Sequence, residues 1–252
     1  MFIHETAIVS PKAKLGANVT VGPFSIIHDN VELGDDCHIE AYCELGKENG
    51  NTGSSPLKIG RNSLIRSHSV FYAASTIGDN LQTGHRVTVR EHSQIGTDFQ
   101  LGTLGDIQGF CEIGDYVKCH SNVHIGHHSK VGNFVWIFPY VVLTNDPHPP
   151  SEVQQGVTIG DYAVIATMSV ILPGIQVEPD TLVGAGSIVG KDVPTGRVFV
   201  GNPAKDVCAI EKIKLKTADG GQAYPWRRHF HRGYPDNVVE NWKFEFSGND
   251  ND

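Results

Sequence analysis

The chain has 252 residues and a formal net charge of −8, with five cysteines and thirteen histidines. An acidic body disfavours broad nucleic-acid binding, which needs a basic stripe. An odd cysteine count with no CxxC pair argues against a disulfide framework or a zinc knuckle, and no apolar run of eighteen residues or signal-type start is present; a cytoplasmic protein is expected.

From Ile3 a bulky aliphatic residue recurs at every sixth position, a period of neither an α-helix nor an amphipathic strand. The first run is Ile3, Val9, Leu15, Val21, Ile27, Leu33, Ile39 and Leu45. The second extends from Ile59 to Leu143 without a slip, and the third from Ile159 through Val189 to Thr195. Hexad repeats of this kind mark a parallel β-helix in which eighteen residues close one triangular coil. Thirty hexads give ten coils, a prism about 48 Å long at the spacing of adjacent strands. Glycine often follows the aliphatic residue, where a corner that needs positive φ would favour it. Four residues past the aliphatic, small or β-branched residues such as Ser25, Cys43, Ser69, Ser129 and Ser187 recur, so each face sends one large and one small side chain inward. Cys37, Cys43, Cys111 and Cys119 fit these inward slots, and only Cys208 falls outside the register.

The register breaks twice. Residues 46–58 and 144–158 insert extra Gly, Pro, Asn and Ser, which mark loops. Both follow the same face, so both leave one corner, five coils apart. Insertions gathered on one side of a solenoid commonly mark its binding side. Pro147, Pro149 and Pro150 stiffen the second loop.

Stacking brings residues eighteen apart into contact. Along the looped corner one column reads Ala73, Glu91, Gly109, His127, Asn145, and its neighbour reads Ala74, His92, Phe110, His128, Asp146. His127, Asn145 and Asp146 are therefore expected to converge as catalytic residues, with Glu91, His92 and His128 contacting substrate. His4, His28, His38, His68 and His120 are scattered over other outward positions, and His124 shares no column with His127.

After Pro203 the register ends. Residues 204–216 are expected to form a short helix with Val207, Ile210 and Ile213 on one side, in a tail spanning 203–252 behind a β-helix of 1–202. Aromatic and basic residues alternate over 224–235, and Arg227 and Arg228 there could bind a phosphorylated substrate.

The hexads, with the run Asn122-Val123-His124-Ile125-Gly126-His127-His128-Ser129-Lys130-Val131-Gly132-Asn133, resemble the left-handed β-helix hexapeptide-repeat acyltransferase family over residues 3–202. Within it the likeness is to UDP-N-acetylglucosamine acyltransferases and, more closely, to bacterial nucleotide-aminosugar N-acetyltransferases. The resemblance implies the left hand, a general base at His127 and a homotrimer. It further implies an acetyl-coenzyme A site at Ala166, Thr167, Ala185, Lys191 and Lys205, without a metal. The acidic residue that commonly follows the base is replaced by His128, which leaves Asp146 as its substitute. The tail of residues 203–252 is not expected to form the long helical C-terminal domain of the lipid A acyltransferases. The function implied is N-acylation of a nucleotide-linked amino-deoxysugar for surface polysaccharide. O-acylation of a sugar nucleotide and a non-catalytic solenoid are the alternatives.

Overall fold

Inward aliphatic residues one coil apart lie over one another, and this stacking generates three parallel sheets. The computed structural model describes residues 1–218 and 220–247. Up to Ile188–Val189 its short strands repeat in rotation through a first, second and third sheet. Ile27, Leu45, Phe71, Val89 and Ile107 are paired neighbours in the second sheet, and each is 0 to 1% exposed. Each such side chain contributes about 1.5–3 kcal/mol relative to exposure. The inward small residues are equally buried, and the serines among them donate to corner carbonyls, as Ser25 does to Glu40 at 2.7 Å and Ser129 to Gly126 at 2.8 Å. Each buried serine in these slots has a partner, whereas the Thr181 hydroxyl in the same slot has none, a loss that costs stability.

Positive φ falls two residues later than the glycines. Twenty-one non-glycine residues, spaced by the hexad, have φ between 53° and 65°. Most offer their N–H to a carbonyl of the coil before, as Asp36 does to that of Ala17 at 2.8 Å. The glycines after the aliphatic residue serve close approach instead: a Cβ on Gly34 would lie 2.5 Å from the Arg61 nitrogen.

The last coil departs from the expected register. Thr195 is exposed, and Val193, 0% exposed, occupies the seat and bridges to Val177. Strand Arg197–Gly201 then pairs with Leu182–Val183, so the first sheet gains an eleventh coil strand. The expected helix over 204–216 is instead strand Ala204–Ala209, antiparallel to Arg197–Gly201, followed by a 3-10 turn Ile210–Lys212. The Gly201-Asn202-Pro203 turn reverses the chain, and the returning strand covers an edge that would otherwise be open.

The helix lies further on, at Asp236–Ser247. It and the 3-10 turn Trp226–Arg228 pack on the corner between the third and first sheets. There Tyr116, Phe134 and Tyr162 stack at 4.9 and 5.0 Å with planes 1° apart. Trp226, Tyr234 and Trp242 bury themselves against that ladder. The aromatic residues of 224–235 thus serve the chain's own prism. Among the described residues no helix is long and apolar enough to cross a membrane.

Candidate active site

Both loops leave the corner between the second and third sheets. The first follows strand Glu44–Lys47 and the second follows Val142–Leu143, five strands along the same sheet. Between them the expected column forms: His92 stacks on Phe110 at 4.8 Å, and Phe110 lies 5.3 Å from His128 and 6.5 Å from His127. His92, Phe110 and His128 all have positive φ, which aims their rings out along the ridge.

His127 is half-buried beside this ladder, and neither ring nitrogen has a hydrogen-bond partner among the described residues. Its pKa lies below the ordinary value, because burial disfavours the cation and the positive charges of Arg90 and the nearby histidines add to that; Glu91 opposes it. The imidazole is therefore neutral at pH 7 and open to a proton from a ligand.

Asn145 sits next to His127, against Gly126: a Cβ on that glycine would be 3.1 Å from the Cβ of Asn145. The Asn145 carbonyl accepts the Gln155 N–H at 2.8 Å and closes the second loop. Asp146 does not orient the base. Its carboxylate accepts the N–H of His148 at 3.0 Å and both the N–H and hydroxyl of Ser151 at 3.0 and 2.6 Å. These bonds, that of the Ser151 hydroxyl first, hold its pKa below the usual range. An Asx turn has taken this side chain for the loop.

Glu91 is also removed from substrate, with 0% exposure. Arg90 reaches it with Nη2 at 3.0 Å and Nε at 3.2 Å, and Asn51 of the first loop donates at 3.1 Å. Burial works against its charge, but hydrogen bonds from its own N–H, Asn51, Arg90 and Asn49 outweigh burial and lower its pKa to about 2. Its role is to pin the first loop, which His92 also holds through the Asn51 carbonyl at 2.6 Å.

Sequence reasoning missed the outward residues of the second sheet that continue this network. Arg90 donates to Gln108 at 3.1 Å, Gln108 to Asp106 at 2.7 Å, and His124 Nδ1 lies 2.9 Å from Asp106. The signal was the same spacing of eighteen, applied one residue to either side of the aliphatic column: Asp106 pairs with His124 across adjacent strands.

The remaining expected residues are not brought here. Ala166, Thr167 and Ala185 stand at the corner between the first and second sheets, where the Gly186 N–H meets the Thr167 carbonyl at 2.9 Å. Lys191 follows strand Ile188–Val189 on the looped corner, and Lys205 lies on the terminal hairpin opposite Val200. Arg227 and Arg228 belong to the third corner: Arg227 is 6% exposed and clamped between Asp180 and Glu245, and Arg228 stacks on Phe246 at 4.7 Å. Among the described residues no group of three or more His, Cys, Asp or Glu is placed to hold a metal ion.

The ridge thus presents a half-buried histidine, unpartnered among the described residues, between two loops of a parallel β-helix. Residues 12–47 match the model of the family described as bacterial transferase hexapeptide (six repeats). Over 215 residues the chain is 31% identical to the acyl-[acyl-carrier-protein]–UDP-N-acetylglucosamine O-acyltransferase of Saccharophagus degradans, covering 81% of this chain and 72% of that one. The corresponding protein of Stutzerimonas stutzeri is 28% identical over 211 residues, with the same coverage. The UDP-N-acetylglucosamine acyltransferase structure from Bacteroides fragilis superposes with a TM-score of 0.55 at 20% identity, covering 94% of this chain and 80% of that one. The chain belongs to the hexapeptide-repeat acyltransferases with a left-handed parallel β-helix, and it is an enzyme of acyl transfer.

The second loop returns over the His127-His128 corner at Gly156, where a Cβ would collide with the His128 carbonyl carbon and oxygen. Gly156→Ala is expected to lift residues 144–158 from the ridge. Turnover should fall by up to about 10²-fold, as for small misplacements of a site, and protease cleavage within the loop should rise. Unchanged kinetics and cleavage would show that the return is not held there.

Proposed function

We propose that the enzyme transfers an acyl group from an acyl carrier protein thioester to a hydroxyl of UDP-N-acetylglucosamine or a closely similar sugar nucleotide, with His127 as general base. The observation that carries this reading is the 31% identity to an O-acyltransferase over 81% of the chain. It displaces the expected amine acceptor in favour of a hydroxyl, and acetyl-coenzyme A in favour of an acyl carrier protein. A neutral sugar hydroxyl is a weak nucleophile, so a base matters more than it would for a free amine.

In the proposed step the hydroxyl oxygen attacks the thioester carbonyl while His127 takes its proton. The C–O bond forms, the C–S bond breaks, and the imidazolium returns the proton to the departing thiolate. His128 and Asn145 flank the acceptor in this reading. Ala166, Thr167 and Ala185 face a phosphopantetheine arm, a group common to coenzyme A and acyl carrier protein. Lys191 and Lys205 meet its phosphate.

A homotrimer in the cytoplasm completes the proposal. An exposed apolar ridge along the corner between the first and second sheets supports assembly: Phe24, Tyr42, Tyr140 and Met168 are 53, 51, 58 and 66% exposed.

The test supplies acyl carrier proteins of several chain lengths, and acyl-coenzyme A separately, to UDP-N-acetylglucosamine and to a UDP-linked aminosugar. Mass spectrometry should find an ester on the hydroxyl acceptor with the carrier-protein donor. An amide formed only on the aminosugar would replace this reading with N-acylation.

A further inference from the structure

A hollow of about 250 Å³ opens on the outer face of the first sheet, well away from the looped corner, and its walls include Arg66, Lys118, His120 and Trp136. Its origin lies in the repeat. The residue after the aliphatic on this face is Arg66 in one coil and His120 three coils later, but Gly84 and Gly102 between them. Two missing side chains leave a trough with a basic residue at each end.

Lys118 forms the third basic group. It is 8% exposed, and its ammonium lies 5.1 Å from the Trp136 ring and 4.5 Å from that of Tyr234. Ring faces offset part of the desolvation of a buried cation, but an acceptor is what such a charge requires. Among the described residues no carboxylate forms an ion pair with Arg66, Lys118 or His120; Arg66 donates to the Thr83 carbonyl, and Asp98 acts on Lys118 only at a distance. Arg232 adds a further positive charge beside Lys118. In a chain of net charge −8, this concentration of unpaired basic groups is exceptional. The Gln82 and Gln100 side chains also line the hollow and have donors to offer.

We propose that this hollow is a binding site for a phosphate-bearing anion, held by Arg66 and Lys118 with His120 closing one end. An arginine fork and a lysine point charge are the usual partners of phosphate oxygens. The volume is below the ~300–1,000 Å³ typical of drug-sized ligands and suits a compact anion. The site is independent of His127 and of the acyl-transfer reading, and it is measured without an acyl donor.

The experiment is calorimetric titration of the full chain with inorganic pyrophosphate and, separately, with UDP. Wild type, Arg66→Gln, Lys118→Met and, as a control on the looped corner, His127→Ala are compared. Pyrophosphate should bind the wild type and the His127 variant equally, and each of the other two about tenfold or more weakly, the range for loss of one charge-assisted hydrogen bond. Thermal midpoints measured without ligand identify any variant that has not folded, and Arg66, at the rim, keeps the test alive if Lys118→Met fails. UDP binding tighter than pyrophosphate and weakened by the same variants would assign the hollow to a nucleotide diphosphate; equal binding would assign it to a free phosphate-type anion. Absence of pyrophosphate binding to the wild type, or binding that survives both substitutions, overturns the proposal.

Discussion

His127→Ala is expected to lower kcat/KM for a hydroxyl acceptor by about 10²- to 10⁴-fold, the contribution of a positioned general base, while the thermal midpoint stays within about a degree of the wild type. The two halves of this result have separate causes. Chemically, the imidazole is neutral and unpartnered on the ridge, which is what the proposed base role requires. Structurally, its loss breaks no hydrogen bond among the described residues, and its nearest ring neighbours, His128 and Phe110, are 6.2 and 6.5 Å away between centroids. Burial and the neighbouring cations depress its pKa below 6.5. The acid limb of kcat/KM, which reports the free enzyme, should therefore have its midpoint below that value, with activity lost as pH falls and the base is protonated. A midpoint above 6.5, or a variant that loses stability as much as rate, would remove His127 from the base role. An amine acceptor would show a smaller loss, because the neutral amine attacks without help.

The hexad period made the architecture legible because every coil buries the same two slots, so one rule predicted Phe71 as well as Ile125. It erred where that rule ceases to govern. At the end of the prism no further coil enforces the spacing, and Val193 took the inward seat assigned to Thr195. Glycine was read as a φ signal when the hexad places positive φ on Asp36, Tyr42 and His128, among others, and uses glycine to admit the next coil's backbone. In the tail, Val207, Ile210 and Ile213 fit a helical face, yet the reversal at Pro203 and the open edge of Arg197–Gly201 draw the chain into a strand.

The ridge was legible for the same reason as the core: a column depends on spacing alone. What spacing does not reveal is the use of a polar group once it is placed. Glu91 stands in the predicted column, but Arg90 beside it and Asn51 from forty residues earlier decide that it is buried structure. Asp146 likewise reached the ridge and was then claimed by Ser151. Arg227 illustrates the limit most clearly. Its sequence setting, basic and aromatic, is the same for a ligand site as for a docking clamp, and only tertiary contact with Asp180 and Glu245 distinguishes them.

That clamp carries the second large expected effect. Arg227 binds Asp180 of the prism and Glu245 of the terminal helix, and its guanidinium lies 4.0 Å from the centroid of the Tyr162 ring. Removing one partner of a buried pair costs about 3–5 kcal/mol. Here Asp180 and Glu245 side chains are 27 and 44% exposed, so solvent screening reduces the expected loss to about 2–3 kcal/mol. In a stack where each coil contacts only its neighbours, such a loss stays local. Arg227→Ala should therefore release the segment from Trp226 through the helix Asp236–Ser247 while the prism's main thermal transition barely moves. All three tryptophans, Trp136, Trp226 and Trp242, lie in the cluster that the segment covers, so a red-shifted fluorescence emission reports release directly, and proteolysis near residues 213–225 should accelerate. Arg227→Lys, which keeps the charge but loses the fork, should fall between the two. Native emission and native protease resistance in Arg227→Ala would mean that the aromatic ladder of Tyr116, Phe134 and Tyr162 holds the tail without the clamp.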